Sequence, residues 1–218
     1  MLEKMSDFFE ARLGGYDEHM LTCIESAKEF YKFTAELLPT DANATVLDLG
    51  CGTGLELEEY YALNPTASVT GIDLSLGMLN ELKRKFKDKD NKINLIHGSY
   101  FDVPLGVDVY DAAVSVESLH HFTKEEKTTL YAKLHKALKL NGYFILTDYF
   151  SQTDKEERNH RQALLEFKRE EGITDNDFYH YDTPLTIAHE VEALTEAGFS
   201  SVEILSNWSA TYTIRAGK

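Results

Sequence analysis

Hydrophobic side chains recur at helical spacing through the first forty residues of the chain. Residues 6–38 are predicted to be helical, with a break near the LGGYD stretch at residues 13–17. In the second piece the apolar positions are three or four residues apart, which places them on one helix face. These positions are Met20, Ile24, Ala27, Phe30, Phe33 and Leu37. Pro39 and the polar TDANA segment then end the helical region.

From residue 45 onward, short apolar runs alternate with stretches of helical periodicity. Strands are predicted at residues 45–49, 68–74, 93–99, 110–116, 143–150, 202–208 and 210–216. Helices are predicted at residues 55–63, 76–86, 124–140, 153–171 and 186–197. Ser75 is predicted to cap the second of these helices, and Thr123 with Glu126 has capping-box spacing before the third. This alternation indicates right-handed crossovers and a parallel sheet, so an α/β protein is predicted.

The VLDLGCGTG segment at residues 46–54 joins the first predicted strand to the helix that follows it. Its glycines are spaced G-x-G-x-G, so it matches neither the dinucleotide fingerprint nor a phosphate-binding loop ending in Gly-Lys-Ser/Thr. Glycines still allow a tight turn and a close approach of the backbone to a ligand. Asp48, two residues before the first glycine, disfavours a pyrophosphate and suits a cation.

Asp73 lies near the end of the second predicted strand, 23 positions after Gly50. An acid at this interval and position can accept hydrogen bonds from the hydroxyl groups of a ribose. Ligands of such sheets lie outside the carboxyl ends of the strands, where the strand order reverses. The predicted ligand is therefore a nucleoside with positive charge and no phosphates, a description that S-adenosylmethionine (SAM) fits.

Five segments in sequence order resemble the motifs of the class I SAM-dependent methyltransferases. They are VLDLGCGTG, GIDLS, HGSYFDVPL, YDAAVSVESLHHF and LKLNGYFILTD, within residues 44–148. The resemblance implies a three-layer Rossmann-like fold with a seven-stranded, mostly parallel sheet in the order 3-2-1-4-5-7-6, strand 7 being antiparallel. It also implies a single methyltransferase domain over residues 1–218. Its parts would be N-terminal cap helices (1–40), a cofactor-binding core (41–148), an acceptor lid (149–183), and the last helix with the closing strands (184–218).

The resemblance also implies which residues bind SAM. It places these residues around the methionine part: Gly50, Cys51, Gly52, Gly54, Val116 and Glu117. Asp48 would accept a hydrogen bond from the ammonium group, directly or through water, and Asp73 would bind the ribose. Leu74 and Met78 would pack near the adenine, with a place in the hydrophobic core as the alternative for Met78. Tyr16 would close over the cofactor from the N-terminal segment.

The loop after the third strand departs from the commonest pattern of this family. Ser99 stands where that pattern has an acid for the adenine amino group. By resemblance, Ser99 or Asp102 would serve instead, and the backbone of Tyr100 would contact the edge of the ring.

Methyl transfer requires the acceptor atom, the methyl carbon and the departing sulfur to lie in line, and hydroxyl acceptors also lose a proton. His120 and His121 directly follow the fourth strand and are candidate catalytic bases, because imidazole titrates near neutral pH. Alternatively, one histidine caps the next helix and the other packs against the cofactor. The residues predicted to contact the acceptor are His19, Tyr149, Tyr179, His180 and Tyr181.

Composition narrows the range of partners. The chain has 37 Asp and Glu against 22 Lys and Arg, a net charge of −15 that repels phosphate backbones, so no nucleic-acid partner is expected. No signal-peptide core or membrane-spanning window is found in the sequence, so a cytoplasmic protein with no membrane partner is expected. Cys23 and Cys51 suggest neither a disulfide framework nor a metal site, and no bound metal is expected.

The sequence thus favours a SAM-dependent methyltransferase that acts on an oxygen or nitrogen of a small-molecule acceptor, as a monomer or homodimer. One alternative is a SAM-binding protein that modifies the cofactor or regulates a partner without methyl transfer. Another alternative is a protein methyltransferase.

Overall fold

The computed structural model describes residues 1–89, 92–175 and 177–218. In these ranges the chain forms eight α-helices, which are α1 Met5–Arg12, α2 Tyr16–Cys23, α3 Ala27–Glu36, α4 Leu55–Leu63, α5 Leu76–Lys85, α6 Lys124–Ala137, α7 Asp154–Glu170 and α8 Ile187–Glu196. Seven strands lie in the same ranges, namely β1 Thr45–Leu49, β2 Ser68–Asp73, β3 Ile93–His97, β4 Tyr110–Val116, β5 Leu138–Tyr149, β6 Ser201–Trp208 and β7 Thr211–Gly217. Short 3-10 helices occupy Leu13–Gly15 and Lys87–Lys89.

These strands form one sheet in the order β3-β2-β1-β4-β5-β7-β6. The pairs from β3 to β5 are parallel, and β7 is antiparallel to both β5 and β6. This arrangement confirms the predicted Rossmann-like α/β fold. The strand order reverses between β1 and β4, so the carboxyl ends of these two strands flank the crevice where a ligand is expected.

Helices cover both faces of the central strands. Leu47 and Leu49 of β1 pack on one face in a core that includes residues of α6 and α8. Val46 packs on the opposite face with residues of α3, α4 and α5. Because side chains alternate along a strand, β1 buries both of its faces, and it is an almost continuous apolar run. Asp48 is the one charged residue in this run. It lies near the carboxyl end of β1, which is the end that flanks the crevice.

The caps predicted from the sequence are present where α5 and α6 begin. Ser75 Oγ accepts a hydrogen bond from the backbone N–H of Met78 at 3.1 Å. Thr123 and Glu126 form a reciprocal capping box before α6. Such caps satisfy backbone donors that the first turn of a helix leaves unpaired. Among the described residues, no helix combines the length and apolar character needed to cross a membrane.

Two predicted helices differ from the structure. The N-terminal helical region is interrupted between α2 and α3, where Ser26 has a left-handed backbone with φ of +58°. The helix predicted at residues 124–140 ends at Ala137, and Asn141-Gly142, predicted to end it, lies inside β5. Leu138 pairs with Tyr110 of β4, so strand pairing across the sheet overrides the local helical pattern.

Candidate active site

The turn after β1 contains three glycines with left-handed backbones. The φ angle is +76° at Gly50, +48° at Gly52 and +79° at Gly54, values that residues with a Cβ rarely adopt. A Cβ on Gly50 would lie 2.1 Å from Ser118 Oγ, so no side chain fits there without displacing Ser118. A Cβ on Gly52 would have Tyr16 as its nearest described neighbour, at 4.0 Å. The backbone of Gly52 is therefore open to a ligand.

Asp73 lies half-buried at the end of β2, beside this turn. Its Oδ2 accepts a hydrogen bond from Gly52 N at 2.9 Å, and its Oδ1 accepts one from Ser75 N at 2.8 Å. Burial raises the pKa of this carboxyl group, and the backbone hydrogen bonds act in the opposite direction. A carboxylate oxygen can accept more than one hydrogen bond, so both oxygens remain able to bind ribose hydroxyls.

Asp48 and Glu56 form a buried pair of carboxyl groups near the glycine turn. Their side chains are almost fully enclosed, at 1% and 5% exposure. Both oxygens of Asp48 and the Oε1 of Glu56 have no hydrogen-bond partner among the described residues. Burial is the main reason why the pKa of each group is raised, and the neighbouring Glu56 raises the pKa of Asp48 further. Nearby positive charge would stabilise this pair, because buried carboxylates without partners are costly.

A narrow cleft of about 50 Å³ lies between the glycine turn, the end of β2 and the N-terminal helix α1. Nine residues predicted to bind SAM line it, which are Tyr16, Gly50, Gly52, Asp73, Leu74, Met78, Tyr100, Val116 and Glu117. The lining also includes Met5, Phe9, Ser118 and His121. Because Met5 and Phe9 belong to α1, the N-terminal helix covers the cleft.

Five other predicted cofactor residues lie outside the lining that the described residues form. They are Asp48, Cys51, Gly54, Ser99 and Asp102. Cys51 packs against β2, since a Cβ on Gly71 would lie 2.7 Å from its Sγ, and Gly54 packs against Leu82. Ser99 Oγ accepts a hydrogen bond from Phe101 N at 3.2 Å, and Asp102 is exposed. Contact with the cofactor stays a prediction for these five residues and equally for the nine that line the cleft.

A larger cavity of about 950 Å³ adjoins the cleft. Four residues line both spaces, namely Phe9, Tyr16, Glu117 and His121. Trp208 and Thr211, from the end of β6 and the start of β7, form part of its wall. We refer to this space as the acceptor cavity.

The residues predicted to contact the acceptor divide into two groups. His19, Tyr149 and His180 line the acceptor cavity. Tyr179 lines a different cavity, and the ring of Tyr181 packs against Phe167 with 5.6 Å between centroids. The aromatic segment before α8 thus reaches the acceptor cavity through His180.

His120 and His121 lie side by side at the wall of the acceptor cavity, with 4.0 Å between ring centroids and 7% exposure each. His120 Nδ1 is 2.6 Å from Oδ1 of Asp148, at the end of β5. His121 Nδ1 is 3.1 Å from Oδ1 of Asp182 and 3.3 Å from the carbonyl oxygen of Tyr181. Each imidazole therefore faces a carboxylate from a distant segment of the chain.

The surrounding charges shift the pKa values of these imidazoles in opposite directions. Burial opposes the charge of His120, but Asp148 and Asp182 outweigh it and raise the pKa of His120 to about 9. Burial and the charge of His120 lower the pKa of His121 to about 4. Burial and Asp148 also raise the pKa of Glu117 to about 8. The carboxylates thus favour the charged form of His120, whereas burial and the neighbouring imidazole favour the neutral form of His121.

Known proteins with similar sequences and structures decide the family. A family profile described as a methyltransferase domain matches residues 46–142. The chain is 27% identical over 203 residues to an uncharacterized methyltransferase of Geobacillus sp. (strain WCH70), which covers 92% of this chain and 88% of that protein. It is 22% identical over 228 residues to the carboxy-S-adenosyl-L-methionine synthase of Nautilia profundicola. That alignment covers 100% of this chain and 96% of the synthase. Human N-acetylserotonin methyltransferase in complex with SAM has a similar fold, with a TM-score of 0.63 at 19% identity over 97% of this chain and 55% of that chain.

These matches confirm the predicted resemblance to the class I SAM-dependent methyltransferases. The cofactor of this methyltransferase is SAM, as the sequence predicts. The lining of the observed cleft suits the chemistry of that molecule, because the backbone of Gly52 is open to a ligand and Asp73 offers a carboxylate to a ribose. The unpartnered oxygens of Asp48 and Glu56 suit the positive charge of its methionine part.

Sequence reasoning missed several residues of the methyltransferase site. Asp148 had a usable signal, because it lies near the carboxyl end of β5, next to the carboxyl end of β4 in the predicted strand order. Asp182 had a weaker signal in the sequence, since it is an acidic residue within the aromatic NDFYHYDTPLT segment. Met5 and Phe9 had none, because the docking of α1 over the cleft depends on tertiary contacts.

Proposed function

We propose that this methyltransferase transfers the methyl group of SAM to an oxygen or nitrogen atom of a small molecule held in the acceptor cavity. The observation that supports this proposal is the shared lining of Phe9, Tyr16, Glu117 and His121 between the cleft and that cavity. In-line displacement requires the acceptor atom to approach the methyl carbon from the side opposite the sulfur. An acceptor in the cavity would approach past these shared residues.

The wall of the acceptor cavity suits a partly aromatic, partly polar molecule. Tyr149 and Trp208 offer ring faces, while His180 and Asp182 offer polar groups. The paired histidines are candidate groups for handling the proton of the acceptor, since imidazoles can transfer protons near neutral pH. The net charge of −15 supports a small acceptor over a nucleic acid.

A substitution that fills the acceptor cavity tests this proposal. Ala210 lines the cavity and not the cleft among their described residues, so Ala210→Phe adds bulk where the acceptor would bind. We expect turnover of small phenols, amines and carboxylic acids, followed as S-adenosylhomocysteine release, to fall at least tenfold while the Kd for SAM is unchanged. The matched control Ala188→Phe adds the same bulk at an exposed position on α8 and should leave both quantities unchanged. Equal turnover in the two variants would place the acceptor elsewhere.

Modification of the cofactor itself is a second candidate function. It is supported by the full-length similarity to a carboxy-S-adenosyl-L-methionine synthase at 22% identity. Mass spectrometry of the cofactor after incubation with cell metabolites separates the two candidates. Methyl transfer yields S-adenosylhomocysteine, whereas the second candidate yields a sulfonium heavier than SAM.

A further inference from the structure

We propose that His120, His121 and Asp182 bind one divalent transition-metal ion, of the chemical class of Zn²⁺, at the wall of the acceptor cavity. These residues come from the loop after β4 and from the segment before α8. Their ligand atoms all lie within 4.8 Å of one another. Two imidazoles and one carboxylate form a ligand set typical of catalytic zinc and related ions, with further positions left open.

The spacing of the ligand atoms already suits an ion. Asp182 Oδ1 is 3.1 Å from His121 Nδ1 and 3.6 Å from His120 Nε2. Ligands about 2.0–2.1 Å from a tetrahedral zinc ion are themselves about 3.3 Å apart. The two distances from Asp182 Oδ1 therefore lie on either side of the value expected for ligands of one zinc ion.

Asp148 supplies the support that metal-binding histidines usually have. Its Oδ1 lies 2.6 Å from His120 Nδ1, and its two oxygens also accept hydrogen bonds from Leu119 N at 2.8 Å and Tyr149 N at 3.0 Å. A carboxylate held in this way keeps a proton on Nδ1, so a metal ion that displaces the Nε2 proton finds the Nε2 lone pair available. Nε2 is the atom of His120 that lies near Asp182.

Asp182 gives a second, independent indication. Its Oδ1 is buried and has no hydrogen bond of acceptable geometry from the described residues, although two imidazole nitrogens lie near it. A buried carboxylate oxygen without a partner costs free energy, which a bound cation would offset. Two further carboxyl groups, Glu117 and Asp148, lie around the same imidazoles, and Glu117 with His120 and Asp148 also has metal-ligand spacing. The cluster thus combines several carboxyl groups with ligand atoms that lie within 4.8 Å of one another.

The proposed ion would lie in a cavity that four of the eight histidines line. His19 and His180 face the same space as His120 and His121. The open coordination positions would hold water or an oxygen atom of the acceptor. The binding of the acceptor to the ion rests on the proposed function, and in that case the histidines act as metal ligands and not as free bases. The binding of the ion itself does not depend on the proposed function.

The test is a metal titration of the full chain without an affinity tag, after removal of bound metal with a chelator. We expect one Zn²⁺ per chain in competition with a chromogenic chelator, and a visible Co²⁺ absorption spectrum of the same stoichiometry. Asp182→Asn and His121→Gln should each weaken Zn²⁺ binding at least tenfold. The side chain of Asp182 is 42% exposed, so its substitution should be compatible with folding. Asp148→Asn should weaken it by about 10- to 100-fold through loss of support to His120.

Matched controls are His160→Gln on the exposed part of α7 and Asp175→Asn in the loop after it, and both should bind Zn²⁺ like the wild type. Circular dichroism and the midpoint of urea denaturation report whether each variant is folded. Absence of Zn²⁺ and Co²⁺ binding, or unchanged affinity in folded Asp182→Asn and His121→Gln, would overturn the proposal. Because the titration contains neither SAM nor acceptor, its failure leaves the proposed methyl transfer standing, and the Ala210→Phe result bears on methyl transfer alone.

Discussion

The carboxylate of Asp73 accepts a hydrogen bond from the backbone N–H of Gly52 at 2.9 Å, which joins residues 21 positions apart. The contact couples the end of β2 to the glycine turn after β1. A second bond, from Ser75 N at 2.8 Å, holds the other oxygen of the same carboxylate. Two motifs that are separate in the sequence therefore form one rigid wall of the SAM cleft.

Replacing Asp73 should weaken cofactor binding. Asp73→Ala removes a charged acceptor that would bind ribose hydroxyls and also frees the turn at Gly52. We expect SAM affinity to fall by about 1.5 to 3 kcal/mol, roughly 10- to 150-fold. Isothermal titration calorimetry with SAM measures the effect directly.

Asp102→Ala is the matched control for this prediction. Asp102 is an exposed carboxylate outside the described lining of the cleft, so SAM affinity should be unchanged. A loss of affinity in Asp102→Ala would show that Asp102 contacts the adenine, and an unchanged Kd in Asp73→Ala would refute the ribose assignment.

The buried pair of Asp48 and Glu56 should make stability depend on pH. Burial raises the pKa of Glu56 above its usual value of 4.5, so above that pH the folded protein retains a proton that the unfolded chain has lost. Folding stability therefore falls as pH rises from about 4.5 toward the folded-state pKa. Glu56→Gln removes this ionisable group, so its free energy of unfolding should fall less steeply with pH than that of the wild type. The two slopes should differ by up to about 1.4 kcal/mol per pH unit.

Urea denaturation of the wild type and Glu56→Gln between pH 5 and pH 8 measures this difference. The control is Glu59→Gln, which changes an exposed carboxyl group on the same helix, α4. Its stability curve should run parallel to that of the wild type. A parallel curve for Glu56→Gln as well would contradict the prediction.

Glu10 should control how fast the cofactor exchanges. Its Oε2 accepts hydrogen bonds from Ser75 Oγ at 2.7 Å and Gly77 N at 2.9 Å, which fasten α1 to the beginning of α5. Since Met5 and Phe9 of α1 cover the cleft, Glu10→Ala should increase the rate of SAM dissociation severalfold. Stopped-flow dissociation measures the rate, with Asp7→Ala, an exposed acid on the same helix, as the control. Identical rates in both variants would mean that α1 does not gate the cleft.

The alternation of strands and helices and the SAM motifs could be predicted because they depend on local patterns, whereas the strand order was implied by the family resemblance. A buried apolar run followed by glycines determines where β1 ends, and Asp73 is recognisable by its interval from Gly50. Where local patterns compete with pairing across the sheet, prediction was wrong. Residues 138–140 were predicted to be helical, yet they lie in β5, where Leu138 pairs with Tyr110 of β4.

The candidate site was harder to predict wherever it joins distant segments. His120 could be recognised from its place after β4, but its partner Asp148 is 28 residues away and Asp182 is 62 away. Only the packing of the segment before α8 brings Asp182 to the histidines. For the same reason, the metal-ligand spacing of the folded chain could not be predicted from the sequence.

A buried ion pair should fix the spacing between α6 and α8. Lys127 Nζ lies 2.6 Å from Glu190 Oε2, with side-chain exposures of 1% and 0%, and the hydroxyl group of Tyr131 donates to the same carboxylate. Glu190→Ala leaves the ammonium group of Lys127 buried without its partner and should cost about 3–5 kcal/mol of stability in urea denaturation. His120 and His121 lie just before α6, and Asp182 lies just before α8. The pair of Lys127 and Glu190 therefore also supports the wall of the acceptor cavity.

Two further variants separate the buried charge from a general loss of packing. The double variant Lys127→Met/Glu190→Leu removes both charges and should recover most of the stability that Glu190→Ala loses. The matched control Glu192→Ala breaks the exposed pair of Lys124 with Glu192, 2.8 Å apart and between the same two helices, and should have little effect because solvent screens that pair. If the double variant is as unstable as Glu190→Ala, the contribution of this position comes from packing and not from charge.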